Sequence, residues 1–165
     1  MGGGGSHYSS EDLAKIERLA KKEIQKASEE VKRNVFISFS SDDLNEVNLL
    51  RGQAKNEDND LEFSDRSLKE PFNSENAEYI KRGIREKIDQ ASVTMVYLTN
   101  NSASSQWVDW EIRESIRKRK GVIGVYQGDN PPSKLPSAFK EHNLKVVKWN
   151  HNELSKAIEQ SSQNR

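Results

Sequence analysis

The stretch SVTMVYLTNNSASSQWVDWEI, Ser92 to Ile112, decides the fold. It opens with a short apolar and β-branched run, Val93 to Leu98, of strand length. A polar segment follows, Thr99 to Gln106, and apolar residues then recur at helical spacing as Val108, Ile112 and Ile116. The spacing predicts a helix from about Gln106 to Lys120, stopped by Gly121 after a basic last turn suited to the helix dipole. Strand, polar loop and helix in immediate succession are the opening half of a βαβ unit.

Outward from this unit the same rhythm repeats. Strands are predicted at Val35–Phe39, Leu61–Ser64, Val122–Tyr126 and Leu144–Trp149. Helices are predicted at Asp43–Ala54, at Ser74–Ala91 with Ala77, Ile80, Ile84 and Ile88 on one face, and at Asn152–Gln160 with Leu154, Ala157 and Ile158 facing in. The pattern predicts an α/β, flavodoxin-like three-layer domain with a five-stranded parallel sheet in the order 2-1-3-4-5. Ligands of such sheets sit beyond the carboxyl ends of the strands. That rule selects the loops Ser40–Asp43, Asp65–Asn73 and Thr99–Gln106, with the proline-bearing Gln127–Pro136 as a lid or an interface.

Before this domain, assigned to residues 33–162, lies an amphipathic helix over residues 9–32. Ser9 and Asp12 are spaced as a capping box, and Leu13, Ile16, Leu19, Ala20, Ile24, Ala27 and Val31 form a stripe that needs either the following domain or a second copy to cover it. Residues 1–8 begin MGGGGS, a flexible coil that suits a linker and a native arm equally.

Composition narrows the function. Equal numbers of basic and acidic side chains, 26 each, argue against a broad footprint for nucleic acid or an anionic membrane. With no cysteine in the chain there are no disulfides or thiolate chemistry, and His7, His142 and His151 are too scattered to make a metal site, so neither metal nor cofactor is expected. No apolar run nears the roughly 18 residues of a membrane span, and the expected address is cytoplasmic. The basic run Arg117–Lys120 is explained by its place at a helix end without a nucleic acid.

Trp107 and Glu111 stand four apart at the start of the Gln106 helix, rotated about 100° from its buried stripe. A carboxylate there, at the mouth of the crevice, suits N-glycoside cleavage: it can accept from a ribose diol and offset positive charge building on the sugar. The alternative is a solvated helix residue beside a partly buried indole. Phe39 reads equally as a ring for a base and as a core aromatic. Arg51 or Arg66 can hold a pyrophosphate through paired N–H donors, or be surface charge. Asp42 and Asp43 look like the acidic pair of a phosphoacceptor receiver, but the third strand ends Leu98-Thr99-Asn100 without an aspartate, which favours an N-cap role. No glycine-rich fingerprint follows the first strand, so hydride chemistry on a bound dinucleotide is not expected. Trp110 and Trp149 read as packing residues.

The blocks VFISFSSDD (Val35 to Asp43), LEFSDRSLKE (Leu61 to Glu70), SVTMVYLTNNSASSQWVDWEI and KGVIGVY (Lys120 to Tyr126), in this order, resemble the TIR-like family that includes the NAD-consuming subunits of bacterial Thoeris antiphage defence. The resemblance implies that Glu111 is the catalytic residue of a W-x-x-x-E block. It implies an NAD glycohydrolase or cyclase that releases nicotinamide and makes an ADP-ribose signal read by a separate effector protein, with NAD as substrate. Ser38 then matches a position where a small hydroxyl approaches the ligand, and Asp65, Arg66, Ser67 and Glu70 match the segment used for substrate access or self-association. Homo-oligomeric TIR–TIR assembly is implied too. A non-enzymatic TIR interaction module is the competing expectation.

Overall fold

The computed structural model describes residues 9–29, 33–56, 61–65 and 71–163. The chain divides into two compact units, Met1–Lys32 and Arg33–Arg165. In the first, helix α1 (Ser10–Glu29) opens with the expected reciprocal cap: the Ser9 amide donates to Asp12 Oδ2 at 3.2 Å, and the Asp12 amide to Ser9 Oγ at 3.1 Å. Leu13, Ile16 and Leu19 on its apolar stripe are about half exposed.

The second unit runs β1 (Arg33–Ser38), α2 (Leu44–Asn56), β2 (Leu61–Asp65), α3 (Ala77–Gln90), β3 (Val93–Tyr97), α4 (Gln106–Arg117), β4 (Gly121–Tyr126), α5 (Ser137–Glu141), β5 (Lys145–Lys148) and α6 (His151–Gln163). All strand pairs are parallel and the sheet order is β2-β1-β3-β4-β5, as the alternation of elements predicted. In register, Ser38 pairs with Val96 and Phe36 with Thr94.

The two-residue period of the strands sorts their side chains into two layers. Val35, Ile37 and Phe39 of the first strand region join Val93, Met95 and Tyr97, Ile123 and Val125 on the face covered by α2 and α6, where Val47, Leu50, Leu154, Ala157 and Ile158 pack. On the opposite face Phe36 packs with Ala77, Ile80, Ile84 and Ile88 of α3 and with Trp107, while Val96, Leu98 and Val122 pack under Val108 and Ile112 of α4 and Ala138 and Phe139 of α5. This three-layer arrangement follows from strands buried on both sides.

Two details depart from expectation. The short helix α5 was not legible, since one turn carries no periodicity. Gly121 does not stop α4. The helix ends at Arg117, and Arg119, at φ 59°, takes the left-handed position instead: its amide donates to the Ile116 carbonyl at 2.9 Å and that of Lys120 to the Ser115 carbonyl at 2.9 Å. Gly121 begins β4, and a Cβ there would collide with the backbone carbonyl of Ser161 on α6. Its small size serves sheet–helix contact rather than the cap.

Candidate active site

Helix α4 is started by Ser105, whose hydroxyl accepts the Val108 amide at 3.2 Å. It then lies over β1, β3 and β4 so that two neighbouring rows are buried. Val108 and Ile112 form one; Trp107, Glu111 and Ser115, at i, i+4 and i+8, form the other. Glu111 is 2% exposed, and Ser38, fully buried at the carboxyl end of β1, donates its hydroxyl to Glu111 Oε1 at 3.0 Å. One turn on, Ser115 Oγ donates to the Glu111 backbone carbonyl at 2.7 Å and lies 2.7 Å from Thr94 Oγ1 on β3. A polar seam therefore runs through the α3/α4 layer between the cluster holding Trp107 and the cluster holding Val108 and Ile112.

Above this seam the loops after β1 and β3 are tied together. Asp43, 4% exposed, accepts from Thr99 Oγ1 at 2.6 Å and from Asn101 Nδ2 at 3.0 Å. The N-cap role expected for the Asp42–Asp43 pair gives way to this clamp: Ser40 occupies the cap of the 3₁₀ turn Ser41–Asp43 and makes no side-chain cap bond. Sheet order reverses between β1 and β3, so the clamp sits where ligands of doubly wound sheets bind. On the other face, Tyr97 donates to Glu46 Oε2 at 2.7 Å; burial first, then that hydrogen bond and the charges of Glu46 and Asp43, push the phenol well above its usual range.

A groove of about 660 Å³ opens beside the N-terminus of α4, lined by Phe72, Ser105, Gln106, Asp109, Trp110 and Leu135 among others. Phe72 meets the edge of Trp107 with ring centroids 4.8 Å apart, and Lys81 Nζ stands 4.4 Å from the Phe72 ring. Arg113, on the same groove, donates to both oxygens of Asp109 at 3.1 Å and to Glu141 Oε2 at 3.0 Å, tying α4 to α5. Hydrogen bonds to Glu141, then to Asp109, raise the Arg113 guanidinium still further above its normal range. Among the described residues no group of three His, Asp or Glu side chains is placed to hold a metal, and no helix is long and apolar enough to cross a membrane.

The family described as the TIR-like domain of the Thoeris protein ThsB matches residues 36–131, more than half the chain and all of the geometry just described from Ser38 to Ser115. The chain belongs to that family. The fold of this TIR-like domain is also similar to the TIR domain of the Toll-related receptor TRR-2 from Hydra magnipapillata, at 12% identity and a TM-score of 0.50, over 79% of this chain and 94% of that one. No curated protein matches it.

The TIR-like domain brings together only part of the residue set read from its sequence. Ser38 and Glu111 are in contact, and Trp107 lies on the same helix row. Trp107 does not face the crevice, however: it is 9% exposed within the apolar cluster of α3, because α4 buries two rows where the sequence suggested one. Phe39, 7% exposed, belongs to the cluster on the opposite face, so the core reading of this ring prevails. Arg51 is on that opposite face as well, lining a void of only about 10 Å³ with Ile37, Val47 and Tyr97, and the structure does not bring it to Glu111. Its Nη1 donates to Asn48 Oδ1 at 3.3 Å. Asp65 ends β2, and its side chain, with Arg66, Ser67 and Glu70, lies outside the described residues. Sequence reasoning missed Thr94 and Ser115. The i+4 spacing of Ser115 from Glu111 was the available signal.

Proposed function

We propose that this TIR-like domain cleaves the nicotinamide–ribose bond of NAD, with Glu111 as the catalytic carboxylate, and so makes an ADP-ribose-derived signal for antiphage defence. The observation that carries the proposal is the placement of Glu111: an acidic side chain 2% exposed, hydrogen-bonded to Ser38 at the carboxyl end of β1, beside the sheet's switch point. A carboxylate withdrawn from bulk water acts strongly on nearby positive charge. In the reaction the bond from ribose C1′ to the pyridinium nitrogen breaks, and its electron pair neutralises the ring. Positive charge moves to C1′ and O4′, where a carboxylate stabilises it. Water then gives ADP-ribose and a proton, whereas a hydroxyl of the same molecule, losing its proton likewise, gives a cyclic product. Nicotinamide leaves as a neutral molecule, so no general acid is required. The product is read by a separate effector protein, and the domain works in a TIR–TIR assembly.

The test is incubation of the purified protein with NAD, at several protein concentrations and with and without phage-derived triggers, with nicotinamide measured chromatographically. Glu111→Gln is expected to lower nicotinamide release on the order of a hundredfold or more while leaving the fold intact. Equal release by both proteins overturns the assignment. Intact NAD under every condition favours a non-enzymatic interaction module.

A further inference from the structure

Three hydroxyls in the α3/α4 layer take no part in the bond changes just described, although each is wholly buried: Ser38 on β1, Thr94 on β3 and Ser115 on α4. A hydroxyl taken out of water costs stability unless it is hydrogen-bonded, and alanine or valine would fill the same space without that cost. Where their hydrogens go is determined by the geometry. Ser38 gives its hydrogen to Glu111 Oε1. Ser115 gives its hydrogen to the Glu111 carbonyl, which can only accept, so the 2.7 Å contact between Thr94 and Ser115 must be donated by Thr94. The chain reads Thr94 to Ser115 to the Glu111 backbone, while Ser38 holds the Glu111 side chain.

We infer that Ser38, Thr94 and Ser115 form a mount that positions Glu111, gripping its carboxylate from β1 and its backbone from β3. This rests on the proposed role of Glu111 and deepens it. Ser38 is thereby reassigned from ligand contact to positioning: its single hydrogen is engaged by Glu111 and is not available to a substrate while that bond stands. The two anchor strands are hydrogen-bonded neighbours inside the sheet, and a carboxylate held from there needs no reorganisation when charge develops beside it. The serine back-bond to the carbonyl four residues earlier ties the β3 side of the mount to the residue that carries the carboxylate.

The experiment uses the full chain and three variants, Ser38→Ala, Thr94→Val and Ser115→Ala, with the exposed Leu49→Ala as a control. Two readouts are taken: kcat and KM for NAD, and isotope-edited NMR of glutamate carboxyl carbons, in which the Glu111 resonance is the one missing from Glu111→Gln. Ser38→Ala is expected to move the Glu111 resonance and lower kcat about tenfold with KM changed less than about twofold. Thr94→Val and Ser115→Ala should shift the same resonance less and lower kcat in the same sense. If the resonance stays in place in all three variants and only thermal stability falls, the hydroxyls merely fill the layer and the mount is refuted. If the wild type leaves NAD intact, the functional reading fails, while the NMR shifts still decide whether these hydroxyls hold Glu111.

Discussion

At the scale of single residues, burial and partner geometry decide what a polar group does. Tyr97 shows this on the face away from Glu111. It is 4% exposed, donates to Glu46, and its phenol is held above the usual range by burial first and by Glu46 second. The sign follows from linkage: a group whose value is raised on folding favours its protonated form in the folded state, so its stabilisation is fully present below the unfolded value of about 10 and is lost as pH rises through the folded value. Tyr97→Phe should therefore flatten the alkaline loss of stability and cost about 1 kcal/mol at neutral pH, where Glu46 loses a donor. Urea midpoints measured across pH check both; an unchanged alkaline limb in the variant contradicts the assignment. Glu111 belongs to the same scale: its side chain is buried and accepts the Ser38 hydroxyl at 3.0 Å.

At the scale of elements, the end of α4 and the start of β4 make opposite demands on neighbouring positions. Arg119 is a side-chain-bearing residue at φ 59°, a conformation that costs roughly 1–2 kcal/mol for L-residues and suits glycine. Gly121, two positions later, is needed because α6 crosses there against the Ser161 carbonyl. Arg119→Gly is accordingly expected to raise stability by about 1 kcal/mol, and Gly121→Ala to lower it by roughly 1–3 kcal/mol through overpacking. Chemical denaturation of the two variants separates the roles, and stabilisation by Gly121→Ala would contradict the contact. Helix α4 itself shows why a periodic stripe understates burial. Val108 and Ile112 announce one buried row, but the row of Trp107, Glu111 and Ser115 is buried also, because the helix sits across β1, β3 and β4 rather than on the rim of the sheet.

At the scale of the whole molecule, the three apolar clusters draw, among the described residues, on positions between Val35 and Ile158, so the second unit carries its own core. A chain beginning at Arg33 is expected to keep a cooperative thermal transition within a few degrees of the full chain, as calorimetry would show; loss of the transition would mean that the first unit is part of the folding domain. The sequence by itself determined the order of the strands and of every helix but α5, because strands buried on both faces read as apolar runs and helices with one buried face read at a period of 3.6 residues. It also singled out Glu111 by its spacing from Trp107, and Ser38 through the family resemblance. Only the tertiary structure decided that these two touch, that Arg51 and Phe39 lie on the opposite face, and that Thr94 and Ser115 join the seam beneath Glu111. The reason is physical. Periodicity says which side of its own element a residue occupies, whereas contacts between residues 73 positions apart depend on where one element crosses another, and that is settled by packing of the whole core.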